Sequence, residues 1–137
     1  PYLRARQSIE PLARKLGLEI ELDARLAERR LSPAPVENWR EVVMRSFDEP
    51  GYAVPGGESG AETLARGLAA IRPALDAARD GRVVIASHGQ LLSLVLQSID
   101  PRFGFAGWQA LTNPDVHAVD VDSSGTLAFR RVWRQET

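Results

Sequence analysis

The stretch Val83-Val84-Ile85-Ala86-Ser87-His88-Gly89-Gln90 decides how this chain is read. Val83 to Ala86 are apolar without polar alternation, which describes a strand covered on both faces. A histidine and a glycine follow, and then a strongly apolar run predicts a helix over residues 90–99. In open α/β sheets, ligands bind beyond the carboxyl ends of strands. A helix starting there offers free N–H groups and the positive end of a dipole, both suited to phosphate. Gly89 lets the backbone approach an anion closely, and His88 beside it could donate a hydrogen bond. The same histidine could also do no more than satisfy a strand-to-helix turn. Ser87 makes no nucleophile elbow, because that pattern needs glycine two residues before the serine and Ile85 stands there.

Upstream, apolar residues recur at helical spacing over residues 2–16, with Gly17 as the stop and Pro11 as an expected kink. Residues 18–22 alternate like a short half-buried strand, and 23–35 read as irregular. Val36, Trp39, Val43 and Phe47 share one face of a predicted helix over 36–47. A loop rich in glycine and proline spans 48–57, and Ser59 caps a long helix expected to reach Arg79, bent at Pro73. Residues 101–111 fit either helix or loop. Residues 116–122 and 126–133 alternate in period two around a hairpin turn at Ser123-Ser124-Gly125. The order predicts an α/β domain with a mixed sheet and helices on both faces.

At 137 residues, 44% hydrophobic and 26% charged, the chain fits one ordinary globular domain. A formal charge of −1 argues against a nucleic-acid partner, while leaving room for a small anionic ligand held by local positive charge. The absence of cysteine excludes disulfides, thiolate metal sites and thiol nucleophiles, and it suits a reducing cytoplasm. No apolar run is long enough to span a bilayer. The chain opens at Pro1, so its natural start is expected to lie upstream.

Three further segments carry chemistry. Arg4 and Arg6 stand at an expected helix N-terminus, where cations oppose the dipole unless an anion sits there too; the alternative is a solvated surface pair. Glu28, in Leu26-Ala27-Glu28-Arg29-Arg30, could be a general acid or a surface ion pair. Glu58, in Pro55-Gly56-Gly57-Glu58-Ser59, could point into a cleft or belong to a capping turn.

Taken in order, these segments resemble the histidine phosphatase superfamily, which includes the phosphoglycerate mutases. That family shows Ser-Pro-Leu-x-Arg-Ala-x-Gln-Thr, against Pro1-Tyr2-Leu3-Arg4-Ala5-Arg6-Gln7-Ser8 here. It shows a glutamate after a Leu-x pair, Pro-Gly-Gly-Glu-Ser, a strand ending Ser-His-Gly, and Asn-Pro-Asp before a late strand; Glu28, residues 55–59, 87–89 and 113–115 match these. The likeness runs through essentially the whole chain. The family's leading Arg-His-Gly, whose histidine takes the phosphoryl group, has no match, and the glycine-rich stretch after the glutamate is replaced by Leu31-Ser32-Pro33-Ala34-Pro35.

The resemblance implies a single, N-terminally incomplete domain over residues 1–137. Its implied fold is three-layered, with a mixed, mostly parallel sheet between helices. It implies a phosphomonoester hydrolase acting through a phosphohistidine, with the attacking histidine upstream. The alternatives are a phosphoglycerate-type mutase or a phosphoryl-ligand binding protein without turnover. Arg4 would clamp phosphate oxygens, His88 would donate to them as imidazolium, and Glu28, in preference to Glu58, would protonate the leaving alcohol. Gly89 and Gln90 would add backbone N–H donors, and His117 would be structural. Neither metal nor cofactor is expected. The expected partner is a small phosphorylated substrate, with a homodimer as the assembly to test and no nucleic acid or membrane.

Overall fold

A computed structural model describes residues 1–78 and 81–134. Helix α1 (Leu3–Leu16) starts at Tyr2, whose carbonyl accepts the Ala5 and Arg6 N–H groups. It runs through Pro11 and stops at Gly17, which takes a left-handed φ of 65°. There Leu18 N–H bonds Ala13 O and Gly17 N–H bonds Arg14 O, the paired closure that glycine permits. None of the α1 residues is buried, so its apolar stripe is only partly covered.

A single 3-10 turn, Ala24–Leu26, is capped by the Asp23 carboxylate, which accepts from Arg25 N at 2.8 Å. Helix α2 (Trp39–Asp48) begins three residues later than the apolar spacing predicts, because a turn occupies Glu37 and Asn38. Its inner face is Val42, Val43, Ser46 and Phe47, while Trp39 stays 45% exposed. Helix α3 (Gly60–Ala78) opens on a capping box: Glu62 N–H donates to Ser59 Oγ and the Glu62 carboxylate accepts the Ser59 N–H. Its expected end at Arg79 lies outside the described residues. Helix α4 (Gly89–Ile99) is the most buried helix, and α5 (Gly104–Gln109) settles the segment that fitted helix or loop.

The core lies where α4 meets α2 and α3. Leu94 packs on Val43 and Phe47, and Leu91 and Val95 pack on Ile71. Strands β1 (His117–Val121) and β2 (Leu127–Arg131) pair antiparallel in the register His117 to Arg131 through Val121 to Leu127. Asp122 Oδ1 closes their turn by accepting from Ser124 N and Thr126 N.

Among the described residues this hairpin is the only sheet, so the expected mixed, mostly parallel sheet is not seen there. Residues 18–22 and 82–88 take no helical or ladder structure. The covered central strand expected at 83–86 is not seen among the described residues, where Val83 is 38% and Val84 57% exposed. Apolar, β-branched sequence favours an extended backbone, but a strand also needs a neighbouring edge to bond, and none of these residues supplies one. No helix among them is long and apolar enough to cross a membrane.

One close crossing positions the site. Glu58 N–H donates to Arg30 O at 2.8 Å, and Arg30 N–H donates back to Glu58 Oε2 at 3.0 Å. A Cβ on Gly57 would run into the Leu31 carbonyl. Gly57→Ala should therefore cost about 2 kcal/mol or more of stability in urea unfolding; a change below about 0.5 kcal/mol would contradict this crossing.

Candidate active site

Residues from four places in the sequence meet at the start of α4: the start of α1, the loop after the 3-10 turn, Glu58 with α3, and His88 itself. His88 is the extended residue before α4 and is only 7% exposed. Its Nε2 is buried without a hydrogen-bond partner. The Tyr2 ring lies 4.9 Å from the imidazole, centroid to centroid, and the Arg4 guanidinium carbon lies 5.0 Å from the same Tyr2 ring. The chain thus brings Arg4 and His88 together around one aromatic ring.

Burial, and then the charges of Arg4, the amino terminus and Arg66, push the His88 imidazole down to about 4. With no anion bound, these effects favour the neutral imidazole; the expected imidazolium belongs to the phosphate-bound site. A dianionic phosphate against it would offset these cations and favour the proton.

The same shift sets a stability trend. The unfolded histidine titrates near about 6.5, so between about pH 6.5 and 4 the unfolded chain binds a proton that folded His88 refuses. The stabilisation is complete above that window and is lost as pH falls through it, by on the order of 2 kcal/mol. Burial also lowers the His117 value, which adds a slope of the same sign. His88→Asn should flatten the urea midpoint against pH across this range and leave the His117 part. An unchanged slope would contradict the burial of His88.

Glu28 accepts three backbone N–H groups: Arg29 N at 2.8 Å, Gln90 N at 3.2 Å and Leu91 N at 3.2 Å. Its carboxylate sits where an anion would sit at a helix start. Gln90 N–H, expected to meet substrate, is therefore directed to Glu28, because a carboxylate reaches it from within the chain. Gly89 packs against α5, where an added Cβ would lie 3.5 Å from Trp108 Nε1.

Glu58 is engaged on both oxygens by Arg66, at 2.7 and 2.9 Å, and this pairing holds its carboxyl below the usual range. Arg66 also donates to the carbonyls of Arg25, Ala27 and Glu28, so three of its five N–H groups pin the loop that carries Glu28 and the other two hold Glu58. Arg29 is 4% exposed and donates twice to Glu58 O. The Arg6 side chain makes no hydrogen bond or ion pair among the described residues, while its backbone N–H bonds Tyr2 O. His117 is held among Phe103, Phe129 and Asp115, away from this cluster.

Arg66, Tyr2 and Trp108 were not legible as site residues. Arg66 lies on an ordinary helical surface position, and its reach to Glu58 depends on the loop crossing. Tyr2 could be read only as part of a motif.

The model of the histidine phosphatase superfamily (branch 1) matches residues 1–130. The chain is 28% identical over 148 aligned residues to "Probable phosphoglycerate mutase GpmB" of Escherichia fergusonii, covering 98% of this chain and 66% of that protein. It is 28% identical to the protein so named in Citrobacter koseri, covering 91% of this chain and 62% of the relative. The chain thus spans about two thirds of the length of these curated relatives. Among solved structures, "Mycobacterial hydrolase 1" superposes with a TM-score of 0.66 at 19% identity, over 97% of this chain and 73% of that one, a likeness of fold. With its motifs in family order and the family model matching through residue 130, the chain belongs to the histidine phosphatase superfamily, branch 1.

Proposed function

We propose that this chain carries the phosphate-gripping side of a phosphomonoester hydrolase that works through a phosphohistidine. One arrangement supports the reading: Arg4 and a buried His88 with an unpartnered Nε2 share the Tyr2 ring at the start of α4. In phosphoryl transfer, positioning and charge stabilisation carry most of the work. Arg4 would grip the non-bridging oxygens, and His88, taking up a proton from solvent as the dianion arrives, would donate to them. Glu28 stands beside the helix start and would move a proton to the leaving oxygen and then from water. Glu58, neutralised by Arg66, is the weaker candidate for that step.

Neither histidine of this chain fits the attacking role. His88 serves as a donor in this reading, and His117 is packed into the aromatic cluster. We assign the nucleophile to residues outside these 137. We read the unladdered segments 18–22 and 82–86 as strands of a three-layer, mixed, mostly parallel sheet completed by the same residues.

The relatives' printed name favours a second reading, a phosphoglycerate-type mutase. Incubating the longer natural protein with a phosphate-ester panel and with phosphoglycerates separates release of inorganic phosphate from isomerisation. For this chain, calorimetry with phosphate or vanadate is the direct test. Arg4→Ala should weaken binding at least about tenfold, the loss of a charge-assisted bidentate contact; unchanged affinity would remove the clamp.

A further inference from the structure

The family motif and the proposed reaction leave Tyr2 without a task, yet among the described residues no other ring meets both Arg4 and His88. Its backbone is fixed independently, because the Tyr2 carbonyl accepts the Ala5 and Arg6 N–H groups that open α1. The ring, 43% exposed, thus meets both the guanidinium and the imidazole from an anchored main chain. It tilts at 59° to the imidazole, a favourable aromatic arrangement, and it meets the Arg4 cation within cation–π range.

We infer that Tyr2 is a positioning residue: its ring orders the Arg4 guanidinium and screens the His88 imidazole from water, so that both are preset for one phosphate. This rests on the reading of Arg4 and His88 as the phosphate grip. The work is done by the ring face and not by the hydroxyl, which makes no hydrogen bond among the described residues. Two consequences follow from the packing. Removing the ring rehydrates His88, so burial no longer holds its pKa as far down. It also frees Arg4 to sample rotamers, so part of the ordering cost moves to the moment of binding. The charges facing His88 are Arg4, the amino terminus and Arg66, and of these only Arg4 leans on the Tyr2 ring, so its release adds to the same upward shift.

The test is NMR titration of the His88 ring in the 137-residue chain, as wild type, Tyr2→Phe and Tyr2→Ala, with and without inorganic phosphate. Tyr2→Phe should titrate within about 0.3 unit of wild type and keep its phosphate affinity within about twofold. Tyr2→Ala should raise the His88 pKa by about one unit and weaken phosphate about three- to tenfold. The amide spectrum of each variant reports whether the fold is retained. A Tyr2→Ala protein that keeps the wild-type spectrum and the wild-type His88 titration would overturn the inference, as would a Tyr2→Phe protein that behaves like Tyr2→Ala. If wild type showed no phosphate response at His88 while the pKa still moved in Tyr2→Ala, the phosphate reading would fall and the packing role of Tyr2 would stand.

Discussion

In a form of the protein that carries its attacking histidine, His88→Ala should lower turnover of a phosphate monoester by about 10²- to 10⁴-fold. The size follows from where His88 sits. It is buried, and its Nε2 meets no protein acceptor. Burial, and then the cations beside it, favour its neutral form until an anion arrives. A donor so placed is strengthened by low surrounding dielectric and needs little reorganisation when charge gathers on the transferring group. Both kcat and kcat/KM should fall together, because the contact is strongest while the phosphoryl group is in transit. Steady-state kinetics on an aryl phosphate checks this. Activity within a few-fold of wild type would remove His88 from the mechanism.

Arg66→Ala should destabilise the fold by about 2–4 kcal/mol and disable the site with it. Five hydrogen bonds leave with the guanidinium. Glu58 then keeps only the Arg30 N–H as a partner for its carboxylate. The carbonyls of Arg25, Ala27 and Glu28 lose the donors that hold the loop to α3. Arg66→Lys keeps the charge but cannot reproduce the planar fork, so it should recover less than half of the loss. Urea unfolding measures both variants. The loss should shrink below about pH 4.5, because the depressed Glu58 carboxyl stabilises the fold above its unfolded value and loses that contribution as pH falls through its folded value. An alanine variant within about 0.5 kcal/mol of wild type would contradict the network.

Local chemistry made part of this legible. The capping box at Ser59, the left-handed stop at Gly17 and the hairpin at residues 122–126 are written in short spacings, and each formed. The α4 stripe is apolar enough to fix both the helix and its burial. The sheet was less legible, because strand status depends on a neighbour, and Val83-Val84-Ile85-Ala86 states its preference without stating its partner. The site divides in the same way. Arg4, Glu28 and His88 could be picked out by residue type and order. What Glu28 does at the α4 start, and why Arg66 matters more than the other arginines of α3, depend on loops crossing at Gly57. The lowered pKa of His88 in the anion-free site was not legible, because motif spacing carries no information about burial.

The central claim is that Arg4 and His88 grip one tetrahedral anion. A crystal structure of the chain grown with vanadate tests it most directly. The account predicts vanadate oxygens within hydrogen-bonding distance of both the Arg4 guanidinium and His88 Nε2, with the Tyr2 ring alongside. Vanadate bound elsewhere, or Arg4 and His88 turned away from each other around an empty α4 start, would contradict it.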